Sequence, residues 1–149
     1  MSIAIHQCIE RVTKIRLSLG ERSSKVTIVN DKKHLLCKVQ VDGCVFTDRD
    51  PMKRCDYLVN VEDLKWSIFI ELKGSSIDAA LEQLTASHAL LAEHRLPLVT
   101  WIISCRSFPK TTPKMQKRMA DIRKIPEMKS LVVKNGPIDF NLETGRSVG

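Results

Sequence analysis

Residues Leu98–Cys105 read Leu-Val-Thr-Trp-Ile-Ile-Ser-Cys, a nearly unbroken apolar run. A run of this length suits a β-strand covered on both faces rather than one with a face in water. It therefore predicts a sheet sandwiched between two further layers. No stretch approaches the roughly 20 apolar residues needed to cross a bilayer, which predicts a chain without a membrane span.

The rest of the chain indicates what those layers are. Ile5, Cys8, Ile9, Val12, Ile15 and Leu19 recur at steps of three and four, predicting a helix over residues 3–19 that stops at Gly20. Lys25–Val29, Leu35–Val41 and Arg54–Val61 are β-branched runs separated by turn signals at Asn30-Asp31, Asp42-Gly43 and Asp48-Arg49-Asp50-Pro51. Trp66–Leu72 is a further strand. Ser76 can cap a helix from Ile77 to about Glu93, with Ile77, Ala80, Leu81, Leu84, His88 and Leu91 facing inward. Thr112-Pro113 opens a helix that ends before Pro126, Ser130–Lys134 is a last short strand, and residues 135–149 read as a loosely held polar tail. The order is helix, strands, helix, strand, helix, strand. It predicts an α/β to α+β fold with a mixed sheet and helices on both faces, in one domain spanning residues 1–149 with its core in about 3–105.

Five cysteines, Cys8, Cys37, Cys44, Cys55 and Cys105, are odd in number and lack the close spacing of a zinc site. Four of them sit among apolar or strand-like neighbours. Buried free thiols in a reducing cytoplasm are the expectation, and Met1–His6 does not read as a secretory signal. The net charge of +7 is unevenly spread. Residues 11–38 carry eight Lys/Arg against Glu21 and Asp31, a net of +6, and residues 110–134 carry eight against Asp121 and Glu127, again +6. Residues 39–109 carry seven Lys/Arg against ten Asp/Glu, a net of −3. An acidic middle between basic flanks suits a polyanion whose charge is met by the flanks while a cation neutralises the centre; two solvated basic surfaces without a partner would look the same.

The chemistry concentrates on one hairpin. If Glu62-Asp63-Leu64-Lys65 is its loop, Val61 pairs with Trp66, and the register sets Asp56 opposite Glu71. Tyr57, Val59 and Val61 then face Ile70, Ile68 and Trp66 on a wholly apolar side. Opposed residues have β-carbons roughly 4.5–5.5 Å apart, where like charges destabilise. A hard divalent cation gives a reason for keeping two carboxylates there. By strand alternation Lys73 projects from the face of Glu71, about 6.5–7 Å further on, where an ammonium can position water or stabilise charge on a phosphate. A Glu-x-Lys pair alone is more often a solvated edge; the opposed Asp56 and the Gly-Ser turn that follows are what raise it.

Arg54-Cys55-Asp56-Tyr57-Leu58-Val59, the short hairpin, and Ile68-Phe69-Ile70-Glu71-Leu72-Lys73-Gly74 together resemble the PD-(D/E)XK nuclease superfamily, which includes restriction endonucleases and Holliday junction resolvases. The resemblance implies a restriction-endonuclease-like core and a phosphodiester hydrolase dependent on Mg²⁺ or Mn²⁺. It implies DNA as substrate, with RNA also admitted, and a homodimer where both strands are cut. Asp56 and Glu71 resemble the metal-binding carboxylates, Lys73 the catalytic lysine, and the backbone carbonyl of Leu72 a further ligand. Cys55 stands where many members have proline.

Other positions are less distinctive. Glu10 is the candidate for a metal-binding glutamate on the first helix, although about 100° per residue puts it about 160° from Val12 and toward solvent. Gln83 resembles an accessory glutamine of some recombination nucleases, and equally an ordinary exposed helix residue. Asp42, Asp48 and Asp50 sit where turns use Asp anyway. Lys114, Lys117 and Arg118, with Arg123 and Lys124 on the same helix, are candidate phosphate contacts or a solvated basic face. The rival function is a catalytically inert module of this fold that binds nucleic acid or a protein.

Overall fold

A computed structural model of the chain describes residues 5–21, 24–74, 76–107 and 110–148, the side chain of Lys73 excepted. Among the described residues ten strands and two helices follow a 3-10 turn at His6–Cys8. The strands are β1 (Ile9–Val12), β2 (Arg16–Glu21), β3 (Ser24–Val29), β4 (Leu36–Gln40), β5 (Tyr57–Val61) and β6 (Trp66–Gly74), then β7 (Leu98–Cys105), β8 (Met128–Asn135), β9 (Ile138–Asn141) and β10 (Arg146–Val148). Helix α1 (Ile77–Leu90) lies between β6 and β7, and α2 (Pro113–Arg123) between β7 and β8.

The larger sheet runs β1-β4-β5-β6-β7-β8, antiparallel up to β6 and parallel from β6 to β8. The expected hairpin register holds at every pair from Tyr57↔Ile70 to Val61↔Trp66. Its four-residue loop closes as a 3-10 turn, Glu62–Leu64, followed by Lys65 in the left-handed region at φ 51°. Ser76 and Thr112 cap the two helices, accepting from the amides of Ala79 and Met115. Strand β7 is buried at every residue after Leu98, as its sequence predicts.

Three expectations are corrected. From Ile5 onward the predicted first helix is the 3-10 turn plus β1 and β2, and Gly20, at φ +88°, belongs to the β2–β3 hairpin rather than to a helix end. The tail is not loosely held: β9 and β10 join β3 and β2 in a second sheet of order β10-β9-β3-β2, with Ile138, Phe140 and Leu142 buried. The helices do not flank both faces either. Residues of α1 and α2 share one core with Phe69, Trp101 and Ile103. On the opposite face Leu17, Leu19, Val26, Ile28 and Phe140 of the second sheet pack on Val59, Ile68, Ile70 and Ile102. Alternating apolar residues on β2, β3 and β9 give that sheet a face to bury, so the layers are helix, sheet, sheet.

The cysteine expectation also changes. Cys8 and Cys44 form a disulfide, and only Cys37, Cys55 and Cys105 are buried free thiols. Among the described residues no helix is long and apolar enough to cross a membrane.

Candidate functional site

Strand β5 begins at Tyr57, and the amides of residues 54 and 55 lack the ladder partners that later residues enjoy. Other groups take them. Gln83 Oε1 accepts from Arg54 N at 2.8 Å and Ser87 Oγ accepts from Cys55 N at 2.6 Å. Positions 83 and 87 lie one turn apart on α1, so one helix face holds two successive amides. The amide of Asp56 then donates to the carbonyl of Ile70 at 3.1 Å, and the amide of Leu72 donates to Asp56 Oδ2 at 2.7 Å. Asp56 is thereby held beside Glu71, where the hairpin register points.

The Glu71 carboxyl is not accommodated as a free ion. Glu71 Oε1 is buried and has no hydrogen-bond partner among the described residues. Burial pushes the Glu71 carboxyl up to about 9, assisted by the Asp56 charge, by hydrogen bonding with Asp56 and by Asp42. The pair lines an open cavity of about 640 Å³ together with Asp42, Asp48, Lys53, Arg54, Leu72 and Gln83. On its other side Asp56, with Leu72, lines a second cavity of about 330 Å³ that reaches Gly20, Glu21 and Tyr57. Cys55, adjacent in sequence, is no nucleophile: burial pushes its thiol up to about 12.

Arg54 is the residue that sequence reasoning passed over. Its Nε donates to Asp42 Oδ1 at 2.9 Å, and its terminal nitrogens donate to the carbonyls of Asp50, Met52 and Thr47 at 2.6, 3.0 and 3.0 Å. One guanidinium thus organises the loop over the cavity, using the fixed fork of donors that lysine lacks. The turn-rich composition of residues 42–51 marks a loop but not the cation that would gather it.

The remaining predicted positions divide. Asp42 and Asp48 line the cavity, and Asp50 accepts from the Thr47 amide at 2.8 Å, an intraloop role. Glu10 is not brought to the site. It pairs with Lys38 across β1 and β4 at 3.7 Å, on the edge strand and on the face opposite that of Asp56 and Glu71. The side chain of Lys73 lies outside the described residues. Its backbone falls where the β6–β7 register slips between Leu72 and Gly74, which interrupts the alternation used to aim it. Lys114, Lys117 and Arg118 line a separate groove of about 490 Å³ between α1 and α2, facing Asp78, Glu82 and Asp121. Arg118 lies 3.5 Å from Asp78, and Glu82 is paired with Lys53 of the main cavity. The groove is therefore charge-balanced rather than purely basic.

Among the described residues no group of three or more His, Cys, Asp or Glu side chains could hold a metal ion. Asp56 and Glu71 supply two hard oxygens, and a Mg²⁺-type ion on two carboxylates completes its shell with carbonyls, water and substrate. Comparison of the chain with family models, with curated proteins and with solved structures returns no match.

Proposed function

We propose that the chain is a Mg²⁺- or Mn²⁺-dependent nuclease acting on DNA inside the cell, built on the restriction-endonuclease-like core that its motif resembles. One observation carries this: a Glu71 oxygen that is buried, without a hydrogen-bond partner among the described residues, and held beside Asp56 on the wall of an open cavity. Opposed carboxylates cost stability, and a hard dication is the group that makes the arrangement favourable.

An ion bound there would supply Lewis-acid polarisation of a phosphate oxygen and a more acidic water. Asp56 and Glu71 would hold it, with the carbonyl of Leu72 as a further oxygen. Gln83 and Ser87 keep Asp56 in place through the amides of residues 54 and 55. Lys73 positions the water. Lys53, Lys114, Lys117 and Arg118 meet flanking phosphates, with less effect than their formal charge because carboxylates already face them. A homodimer would offer one such centre to each strand.

Supercoiled, linear and four-way-junction DNA incubated with Mg²⁺ or Mn²⁺ provides the test. Cutting by the wild type, with loss in Asp56→Asn, Glu71→Gln and Lys73→Ala, is the expected result. Robust metal-dependent cleavage by all three variants would refute the site.

The second reading, an inert module that binds nucleic acid or protein, is favoured by a different observation. Burial and the Asp56 charge push the Glu71 carboxyl up to about 9, so a proton can take the place of an ion there. DNA retained in EDTA, with no cutting in any divalent metal, is its expected signature.

A further inference from the structure

The loop over the carboxylate pair is attached to Asp56 itself. The amides of Val41 and Asp42 donate to the Asp56 carbonyl at 3.0 and 3.3 Å. Three backbone bonds close the turn that follows: Gly43 N to Phe46 O at 2.7 Å, Val45 N to Gln40 O at 3.2 Å and Phe46 N to Val41 O at 2.9 Å. In the middle of this turn Cys44 is joined to Cys8, which lies 36 residues earlier at the end of the 3-10 turn. The disulfide is the one covalent tie between the loop and the start of the chain. Cys8 is buried and Cys44 partly exposed, so the bond has an accessible half. The three remaining thiols are buried, which leaves attack to a thiol from outside.

We infer that the Cys8–Cys44 disulfide is a redox latch on the carboxylate site: oxidised, it clamps residues 41–46 against Asp56; reduced, it lets that turn open. The effect on metal binding rests on the function proposed above, whereas the opening of the turn does not. The reductant is a dithiol. Its thiolate attacks Cys44 Sγ, forming a mixed disulfide as the Cys8–Cys44 bond breaks with its electron pair on Cys8 Sγ, which takes up a proton. The second thiol of the reductant then displaces Cys44, which is protonated, and the dithiol leaves as its own disulfide. Two electrons pass from the reductant to the protein sulfurs. Opening releases the backbone bonds of this turn locally, while the sheet behind it stays folded.

The test is amide hydrogen exchange on the full chain, oxidised and after dithiothreitol, with β7 as internal reference, followed by Mn²⁺ titration of both forms. Reduction is expected to speed exchange of the Val41–Phe46 amides roughly tenfold or more, leave β7 unchanged, and weaken Mn²⁺ binding severalfold. Cys44→Ser should behave as reduced protein and ignore dithiothreitol. Identical exchange of the loop in both redox states would overturn the latch, as would alkylation of all five cysteines in protein prepared without reductant. Redox-dependent exchange in a chain that cuts no DNA in either state supports the latch and refutes the nuclease reading alone.

Discussion

Replacing Glu71 by glutamine should stabilise the metal-free protein, and by an amount that depends on pH. In the folded chain burial and the neighbouring Asp56 push the Glu71 carboxyl up from 4.5 to about 9, so it carries a proton at neutral pH. In the unfolded chain the same group is ionised. Between those two values the native state holds one more proton than the unfolded state, and stability falls as pH rises. The full slope is about 1.4 kcal/mol per pH unit, and partial solvent contact of Glu71 reduces it to about 1. From pH 5.5 to 8.5 the wild type should therefore lose about 3 kcal/mol relative to Glu71→Gln, whose amide can donate to Asp56 without titrating. At pH 7.5 the variant should be about 2–3 kcal/mol more stable. Urea unfolding followed by the fluorescence of the buried Trp66 and Trp101 measures both quantities. If the proposed metal site exists, saturating Mn²⁺ should erase the difference in slope by displacing the proton, and apparent Mn²⁺ affinity should climb with pH for the same reason. Parallel pH profiles for wild type and variant would refute the reasoning: the environment of Glu71 would then not be burying a proton there at all.

Three further outcomes follow from packing and titration. Gly20→Ala should cost about 2–4 kcal/mol by urea unfolding, since φ is +88° and a β-carbon would collide with the Ser24 carbonyl and the Leu72 side chain. Phe140→Ala should cost about 3–5 kcal/mol, because Phe140 is fully buried in the second core; a loosely held tail would lose nothing. His88 packs between Phe69 and Trp101, and burial lowers its pKa, with Arg95 adding to the effect. Burial favours its neutral form although Glu127 opposes the shift, so stability contributed by that ring falls as pH drops below 6.5, by at most about 1.4 kcal/mol per unit. Glu71 titrates with the opposite sign, so His88→Gln is best compared in the Glu71→Gln background, where the loss in acid should disappear.

What could be read from the residues alone was whatever local geometry determines. Four residues between two apolar runs admit one simple hairpin register, and from that register the neighbourhood of Asp56 and Glu71 follows without knowledge of the rest. The doubly buried β7, the Ser76 and Thr112 caps and the proline that opens α2 are similarly local. The misread helix shows where locality fails. Ile5, Cys8, Ile9, Val12, Ile15 and Leu19 have helical spacing only because two short strands are joined by a three-residue break, Thr13–Ile15, that resets the phase. Within β2 the true period is two, with Leu17 and Leu19 buried between exposed neighbours. The tail carries the same signal in Ile138, Phe140 and Leu142, at alternate positions with polar residues between them.

The features that were out of reach depend on partners distant in the chain. Both helices lie on one face because the β2–β3 hairpin and β9 occupy the other, and that competition is settled only when the second sheet assembles, with β9 parallel to a strand more than a hundred residues earlier. The same nonlocality brings Cys8 to Cys44, whereas Arg54 finds its four acceptors within its own loop, 2 to 12 residues away, in a fold that turn-rich composition does not draw. It also removes Glu10 from contention, for a reason that no helical wheel could supply. As a strand residue Glu10 shares its face with Lys38 and Val59, and that face is the one turned away from Asp56. The carboxylate pair is thus fixed by a hairpin that folds on local information. The loop, the helix clamp and the disulfide around it come from the rest of the chain, so mutation can separate the carboxylate pair from the elements that hold it in place.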